Sequence, residues 1–189
     1  GKFDVTQLVS VDEKNGWLYF IASPENVSQR YLQRSRLDGS GDMEQVTPSK
    51  FNGTNGYQIS SDSTWAIHTY SSFLTARVYS LISLPDHKIH DVLEDNDVLA
   101  TKLTELNSGE LELYSVKAKD ELRLDGYMLR PATLDKSKKY PLIHYVYGEP
   151  AGQTVRDVWQ GNRSMWHIMM SQRGFIVSSV DNRGTAAPR

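Results

Sequence analysis

The feature that most constrains this chain is an internal repeat of β-rich units. Trp17 and Trp65 open equivalent runs 48 residues apart, and Leu37 and Leu84 close equivalent runs 47 residues apart. In the first unit, residues 5–11 alternate apolar and polar, and Asn15-Gly16 supplies a hairpin turn. Residues 17–21 form a second strand-like run, residues 31–37 a third and residues 44–47 a short fourth, stopped by Pro48. The second unit begins at the polar turn Ser60-Ser61-Asp62-Ser63 and continues through residues 65–70, 77–84 and 88–92, with Pro85-Asp86 as a turn. Short strands repeating every 40 to 50 residues or so, four to a unit, are the signature of a β-propeller blade. An isolated β-sandwich is the alternative, because the strand count fits it, although a sandwich does not require the repeat.

The pattern changes in the second half. Residues 110–116 and 122–129 both alternate, and the pair reads as a hairpin. Residues 131–139 read as a polar loop carrying Lys136, Lys138 and Lys139 on a solvated face. Leu142-Ile143-His144-Tyr145-Val146-Tyr147 is a nearly continuous apolar run, and Phe175 to Val180 is another. Such runs predict central strands covered on both faces. Between them a helix is expected, capped by Asn162 or Ser164, with Met165, Ile168, Met169 and Gln172 on one face and Gly174 at its C-terminal cap. Strand, helix, strand is a parallel crossover unit, the opening of an α/β sheet. A propeller needs about four blades or more to close, and two core strands leave an α/β sheet unfinished. With no initiator Met before Gly1 and a halt at Arg189, the chain reads as a piece of a longer one.

Composition narrows the function classes. Lys and Arg number 21 and Asp and Glu 23, spread along the chain, so no nucleic-acid partner is implied. There is no cysteine, which removes disulfides and thiolate metal sites from consideration. No apolar stretch approaches the roughly 18 residues of a membrane span. No metal or cofactor is expected.

Four segments resemble the dipeptidyl peptidase IV family of prolyl oligopeptidase-type serine peptidases. They are Val92-Leu93-Glu94-Asp95-Asn96, Asp135-Lys136-Ser137-Lys138-Lys139-Tyr140-Pro141-Leu142, Tyr145-Val146-Tyr147-Gly148-Glu149-Pro150, and the strand ending in Asp181-Asn182-Arg183-Gly184. Their order and spacing agree with that family. The resemblance implies the last two blades of a β-propeller over residues 1–104 and the N-terminal part of an α/β-hydrolase domain over residues 105–189. It implies a serine exopeptidase that removes N-terminal dipeptides with Pro or Ala in second place. It also implies a parent that is a homodimer and is exported, periplasmic or membrane-anchored. The relatives that share the architecture include acylaminoacyl- and oligopeptidases, and a propeller can also serve as a non-catalytic binding module.

The resemblance assigns one catalytic role within the chain, to Tyr147, as hydrogen-bond donor to the tetrahedral oxyanion. The nucleophilic Ser, the Asp and the His are expected beyond Arg189, and the acidic pair that holds the substrate amine before Gly1. No Gly-x-Ser-x-Gly elbow occurs, and Gly39-Ser40-Gly41 lacks its spacing. The isolated chain is therefore expected to be inactive. Glu149 stands where the family has Gly or Ala, and is expected to face solvent. His87 and His90 are a poor zinc pair without a helix to align them, and His144 and His167, which could approach one another on a strand and its crossover helix, are each expected to be a hydrogen-bonded scaffold residue. Asp181 and Arg183 are expected to organise a loop, and Trp159, Met165, Trp166 and Met169 to pack in a core.

Overall fold

A computed structural model describes residues 3–119, 121–149 and 151–185. Gly1, Pro150 of the tyrosine-containing segment and Arg189 lie outside the described residues. The chain is mostly β, in three four-stranded sheets that close no barrel among the described residues.

The first sheet is a meander of β1 (Val5–Asp12), β2 (Trp17–Ala22), β3 (Tyr31–Arg36) and β4 (Glu44–Gln45), each strand antiparallel to the next. Its first turn is fixed by Asp12, whose carboxylate accepts from the Asn15 amide at 3.0 Å and from Asn15 Nδ2 at 2.8 Å. Gly16 then takes φ of +73°, which glycine adopts without steric cost. The second sheet repeats the meander with β5 (Thr54–Ile59), β6 (Trp65–Ser72), β7 (Thr75–Ser83) and β8 (Ile89–Glu94). No strand is exchanged between these sheets, so each has the form of a propeller blade. They pack face to face over Tyr19, Ile21, Leu32, Tyr57, Ala66 and Ile82.

β5 corrects the sequence reading, which began the second unit at residue 60. The strand escapes the alternation test because Asn55, at one of its inward positions, is buried and polar. Asn55 donates to the carbonyls of Arg30 and Phe51, both at 2.9 Å, and its Oδ1 lies 2.8 Å from His68 Nε2. A fully bonded amide fits a core that an unpaired one would disrupt.

α1 (Asp97–Glu105) follows β8 and was not expected either; it drives Leu103 into the core. The third sheet has the order β11-β12-β10-β9, from β9 (Glu110–Lys117), β10 (Arg123–Arg130), β11 (Leu142–His144) and β12 (Ile176–Val180). β9 and β10 form the expected hairpin, and β11 and β12 are the expected parallel pair. Gly126 is required here, because a Cβ would lie 2.6 Å from the Tyr114 ring as it crosses β10. The Tyr114 hydroxyl reaches Ser178 Oγ at 3.1 Å on β12.

Two expectations for this half are overturned. β11 is not a covered central strand: it is three residues long, lies at the edge of the sheet among the described residues, and leaves Leu142 59% exposed. The covered strand is β12, with Val177 and Ser179 fully buried. The helix α2 (Asn162–Gln172) also turns the other way. Its buried residues are Ser164, His167, Ile168 and Ser171, while Met165, Trp166 and Met169 are exposed. Small serines let the helix sit close to the sheet, and Ser171 Oγ returns its proton to the Ile168 carbonyl at 2.8 Å. Neither Asn162 nor Ser164 caps the helix through its side chain; Gly161 holds the N-cap position. The C-terminal cap is as expected. Gly174, at φ of +85°, donates to the Ser171 carbonyl at 3.0 Å, and Phe175 to Met170 at 3.1 Å, a Schellman pair.

A single core joins the second and third sheets. Phe73 from the β6–β7 turn, Leu103 of α1, Tyr127 and Leu129 of β10, Ile168 of α2 and Val177 of β12 meet there with Val155 and Trp159.

Candidate functional site

β11 pairs with β12 as far as Tyr145, whose amide donates to the Ser178 carbonyl at 2.8 Å and whose carbonyl accepts from Ser179 Oγ at 2.7 Å. Beyond that point the backbone leaves the sheet. Tyr147 is 55% exposed, Gly148 takes φ of +79°, and the chain turns back. The Tyr147 ring then lies on Gly152, where an added Cβ would come 2.1 Å from the ring. A phenol is thus held at the carboxyl end of a parallel strand, on a position only glycine leaves open. That end of such sheets is where ligands bind. Its hydroxyl makes no hydrogen bond among the described residues, so its donor is available. Glu149 is exposed, as expected for a carboxylate turned away from this point.

The returning segment is clamped onto the end of β12. Asp181 is buried, and its carboxylate accepts from the Thr154 amide at 2.8 Å, Thr154 Oγ1 at 2.9 Å and the Val155 amide at 3.2 Å. This is the loop-organising role expected of it. Arg183 is exposed in the turn that follows.

From residue 153 onward the same segment threads between the sheets, and sequence reasoning missed the residues that hold it there. Arg30, on the loop before β3, is buried; it donates to the Val27 carbonyl at 2.7 Å, the Gln29 carbonyl at 2.8 Å and Gln153 Oε1. Burial, with a further push from Arg156, lowers its guanidinium to about 10, and Asp181 opposes that fall. Asp157 is buried as well. It accepts from Gln29 Nε2 at 2.9 Å and the Phe73 amide at 2.8 Å, and its carbonyl accepts from Thr54 Oγ1 at 2.8 Å. These are single polar residues in loops, whose partners lie more than 80 positions away in the chain, so no local pattern announces them.

The histidines go elsewhere. His87 is buried and faces Tyr57, with Nε2 2.9 Å from the phenol oxygen, while His90 is exposed and packs on Trp65 at 4.7 Å. They share no site, and no group of three or more metal-ligating side chains occurs among the described residues. His68 and His87 instead stack edge to face at 4.7 Å beneath Phe51. Burial first, then His87, lowers the His68 imidazole to about 3; burial likewise lowers His87. His167 is buried beside Tyr127 and Tyr145, and burial, then Arg163, lowers it to about 4. His144 is exposed on β11 and its side chain makes no hydrogen bond among the described residues, so it is not the scaffold residue expected. Of the expected aromatic core group only Trp159 is buried; Met165, Trp166 and Met169 are on the outer side of α2, with Trp166 44% exposed.

Comparison with known proteins shows what the chain is similar to. Residues 1–77 match the family model described as dipeptidyl peptidase IV N-terminal region. A probable dipeptidyl-aminopeptidase B of Coccidioides posadasii is 30% identical over 98% of this chain and 20% of its own length. Its counterpart in Arthroderma benhamiae is 32% identical over the same shares. The crystal structure of Porphyromonas gingivalis dipeptidyl peptidase 4 superposes with a TM-score of 0.87 at 28% identity, over 100% of this chain and 26% of that one. The chain belongs to the dipeptidyl peptidase IV family. It spans about one fifth of the curated dipeptidyl-aminopeptidases it matches. The likeness to a dipeptidyl peptidase IV structure runs the whole length, so it takes in both meander sheets, the third sheet and the Tyr147 segment between β11 and α2.

Proposed function

We propose that this chain is part of a serine dipeptidyl peptidase, in which two propeller blades (residues 1–104) meet the opening of an α/β-hydrolase domain (residues 105–189). The full-length protein releases N-terminal dipeptides with Pro or Ala in second place by acyl transfer through a Ser-His-Asp triad. The triad and the acidic pair that binds the substrate amine belong to other parts of the protein, and the 189 residues alone are inactive. The protein is exported or membrane-anchored and works as a homodimer, although no helix among the described residues is long and apolar enough to cross a membrane.

One observation carries the reading. Tyr147 stands at the carboxyl end of β11, its ring on Gly152 and its hydroxyl without a partner among the described residues. A phenol so placed is pre-oriented to donate to an oxygen on which negative charge develops. Such a donor stabilises the transition state more than the neutral substrate, because the hydrogen bond strengthens as charge grows. A buried structural tyrosine would instead have its hydroxyl satisfied, as Tyr57 does with Thr47 at 2.7 Å and with His87.

The test is Tyr147→Phe in the full-length protein. Loss of one oxyanion donor costs about 10²–10³ in kcat, with KM little changed because the ground-state carbonyl loses almost nothing. An unchanged kcat removes Tyr147 from the oxyanion.

A further inference from the structure

A cavity of about 620 Å³ lies beside the segment that follows Tyr147, with Arg77, Arg156 and Arg163 in its wall together with Gln153, Thr54 and Trp159. None of the described residues lining it is Asp or Glu, and none of the three arginines is in an ion pair among the described residues. Asp157, the acidic residue of the same segment, is turned away to Gln29 and the Phe73 amide. The Nε of Arg156 is buried and has no hydrogen-bond partner among the described residues. Burial, then Arg77, lowers the Arg156 guanidinium from its usual value, as expected for cations facing one space without a counter-charge. Arg163 is held in place by Gln160 Oε1 at 2.9 Å and by the Tyr145 ring at 5.0 Å.

The cavity adjoins the candidate site along the chain on both sides. Gln153 in its wall follows directly on Gly152, which carries the Tyr147 ring, and Tyr145 beneath Arg163 is two residues before Tyr147. Its volume falls in the range that holds small ligands, roughly 300–1,000 Å³. Guanidinium groups pair with carboxylates through parallel N–H···O bonds, and an unpaired cluster offers more than one such fork.

We infer that this cavity is a subsite for a carboxylate of the peptide substrate, on an acidic side chain or at the C-terminus. The inference rests on the peptidase reading and refines its substrate class. The full-length protein is assayed on three pentapeptides: Gly-Pro-Ala-Glu-Ala amide, Gly-Pro-Ala-Gln-Ala with a free C-terminus, and Gly-Pro-Ala-Gln-Ala amide. The first isolates a side-chain carboxylate, the second a terminal one, and the third has neither. One of the first two is expected to exceed the third about tenfold in kcat/KM. That preference falls to about one in Arg156→Gln and in Arg77→Gln, the latter at an exposed position whose exchange does not threaten the fold. Lys136→Gln, on an exposed loop, keeps it. Rates for all three peptides within twofold of one another overturn the subsite.

Glutarate titration, followed by tryptophan fluorescence, separates the two readings. If no peptide is cleaved but glutarate binds and Arg156→Gln weakens it about tenfold, the anion site stands and the peptidase reading fails. If the peptides are cleaved alike and glutarate binds Arg156→Gln as well as the unaltered protein, the peptidase reading stands and the subsite fails.

Discussion

In the two meander sheets every strand pairs with its neighbour in sequence, whereas in the third sheet β12 sits between β11 and β10 and closes contacts across long stretches of chain. The meanders are built from hairpins, each with its own turn chemistry, such as the Asp12–Asn15 bonds. The third sheet depends on polar clamps between distant residues, with Asp181 holding Thr154 and Val155, and Asp157 holding the β6–β7 turn. The comparison teaches where function can be placed. Local hairpins make a rigid platform, and the segment clamped against it carries Tyr147 and the arginine-lined cavity.

The sharpest way to break that comparison is to cut the core the two regions share. Phe73 projects from the β6–β7 turn of the second sheet and is 1% exposed among residues of the third. Phe73→Ala is expected to cost about 3–5 kcal/mol in denaturant unfolding. A cost below about 1 kcal/mol would mean that the regions are stabilised independently of this contact.

Acid should act on both regions through buried histidines. His68 in the second sheet and His167 in α2 are nearly inaccessible and held neutral, with imidazoles lowered to about 3 and about 4. A lowered folded value means that the unfolded chain takes up the proton first. The stability from neutral burial is therefore complete above about pH 6.5 and is lost as pH falls toward the folded values. His68 should cost about 2 kcal/mol between pH 7 and pH 5, since one pH unit below the unfolded value is worth about 1.4 kcal/mol, and His167 acts in the same direction with a smaller effect. Urea midpoints at the two pH values measure it. His68→Gln should flatten the acid slope by about one proton; an unchanged slope would show that His68 is not held neutral.

The smallest expected effect on stability is the most informative about the site. Gly152→Ala sets a methyl into the Tyr147 ring, which lies at the protein surface and can swing aside. The variant should therefore unfold within about 1 kcal/mol of the parent and yet lose about tenfold or more in kcat. Full activity in Gly152→Ala would mean that the ring position seen here is not the working one.

Most of the meander architecture was legible in the sequence, because turn residues and alternation report contacts made by near neighbours. Asn15-Gly16 is of that kind, and the Trp17–Trp65 spacing shows the same local pattern repeated in the next unit. β5 was hidden because Asn55 puts an amide where a strand pattern expects an apolar side chain. The buried face of α2 was misread for a related reason: serines pack against the sheet, and methionines with Trp166 face out. β11 resembled a central strand in composition, but sheet order is a property of the whole fold and not of one run of residues. Tyr147 was found through a family motif, while Gly152, which makes room for its ring, lay in a loop with nothing to mark it. Arg30, Asp157 and Arg156 could not be found locally, since what makes them special is burial and partners brought from far along the chain.

The activity proposed for the full-length protein is that of a serine dipeptidyl peptidase. The most direct measurement is mass-spectrometric detection of the products from a peptide beginning Gly-Pro, with and without a serine-directed fluorophosphonate. Release of intact Gly-Pro dipeptide, abolished by the fluorophosphonate, is the predicted result. Cleavage elsewhere in the peptide, release that the fluorophosphonate does not affect, or no release from the folded protein would contradict it.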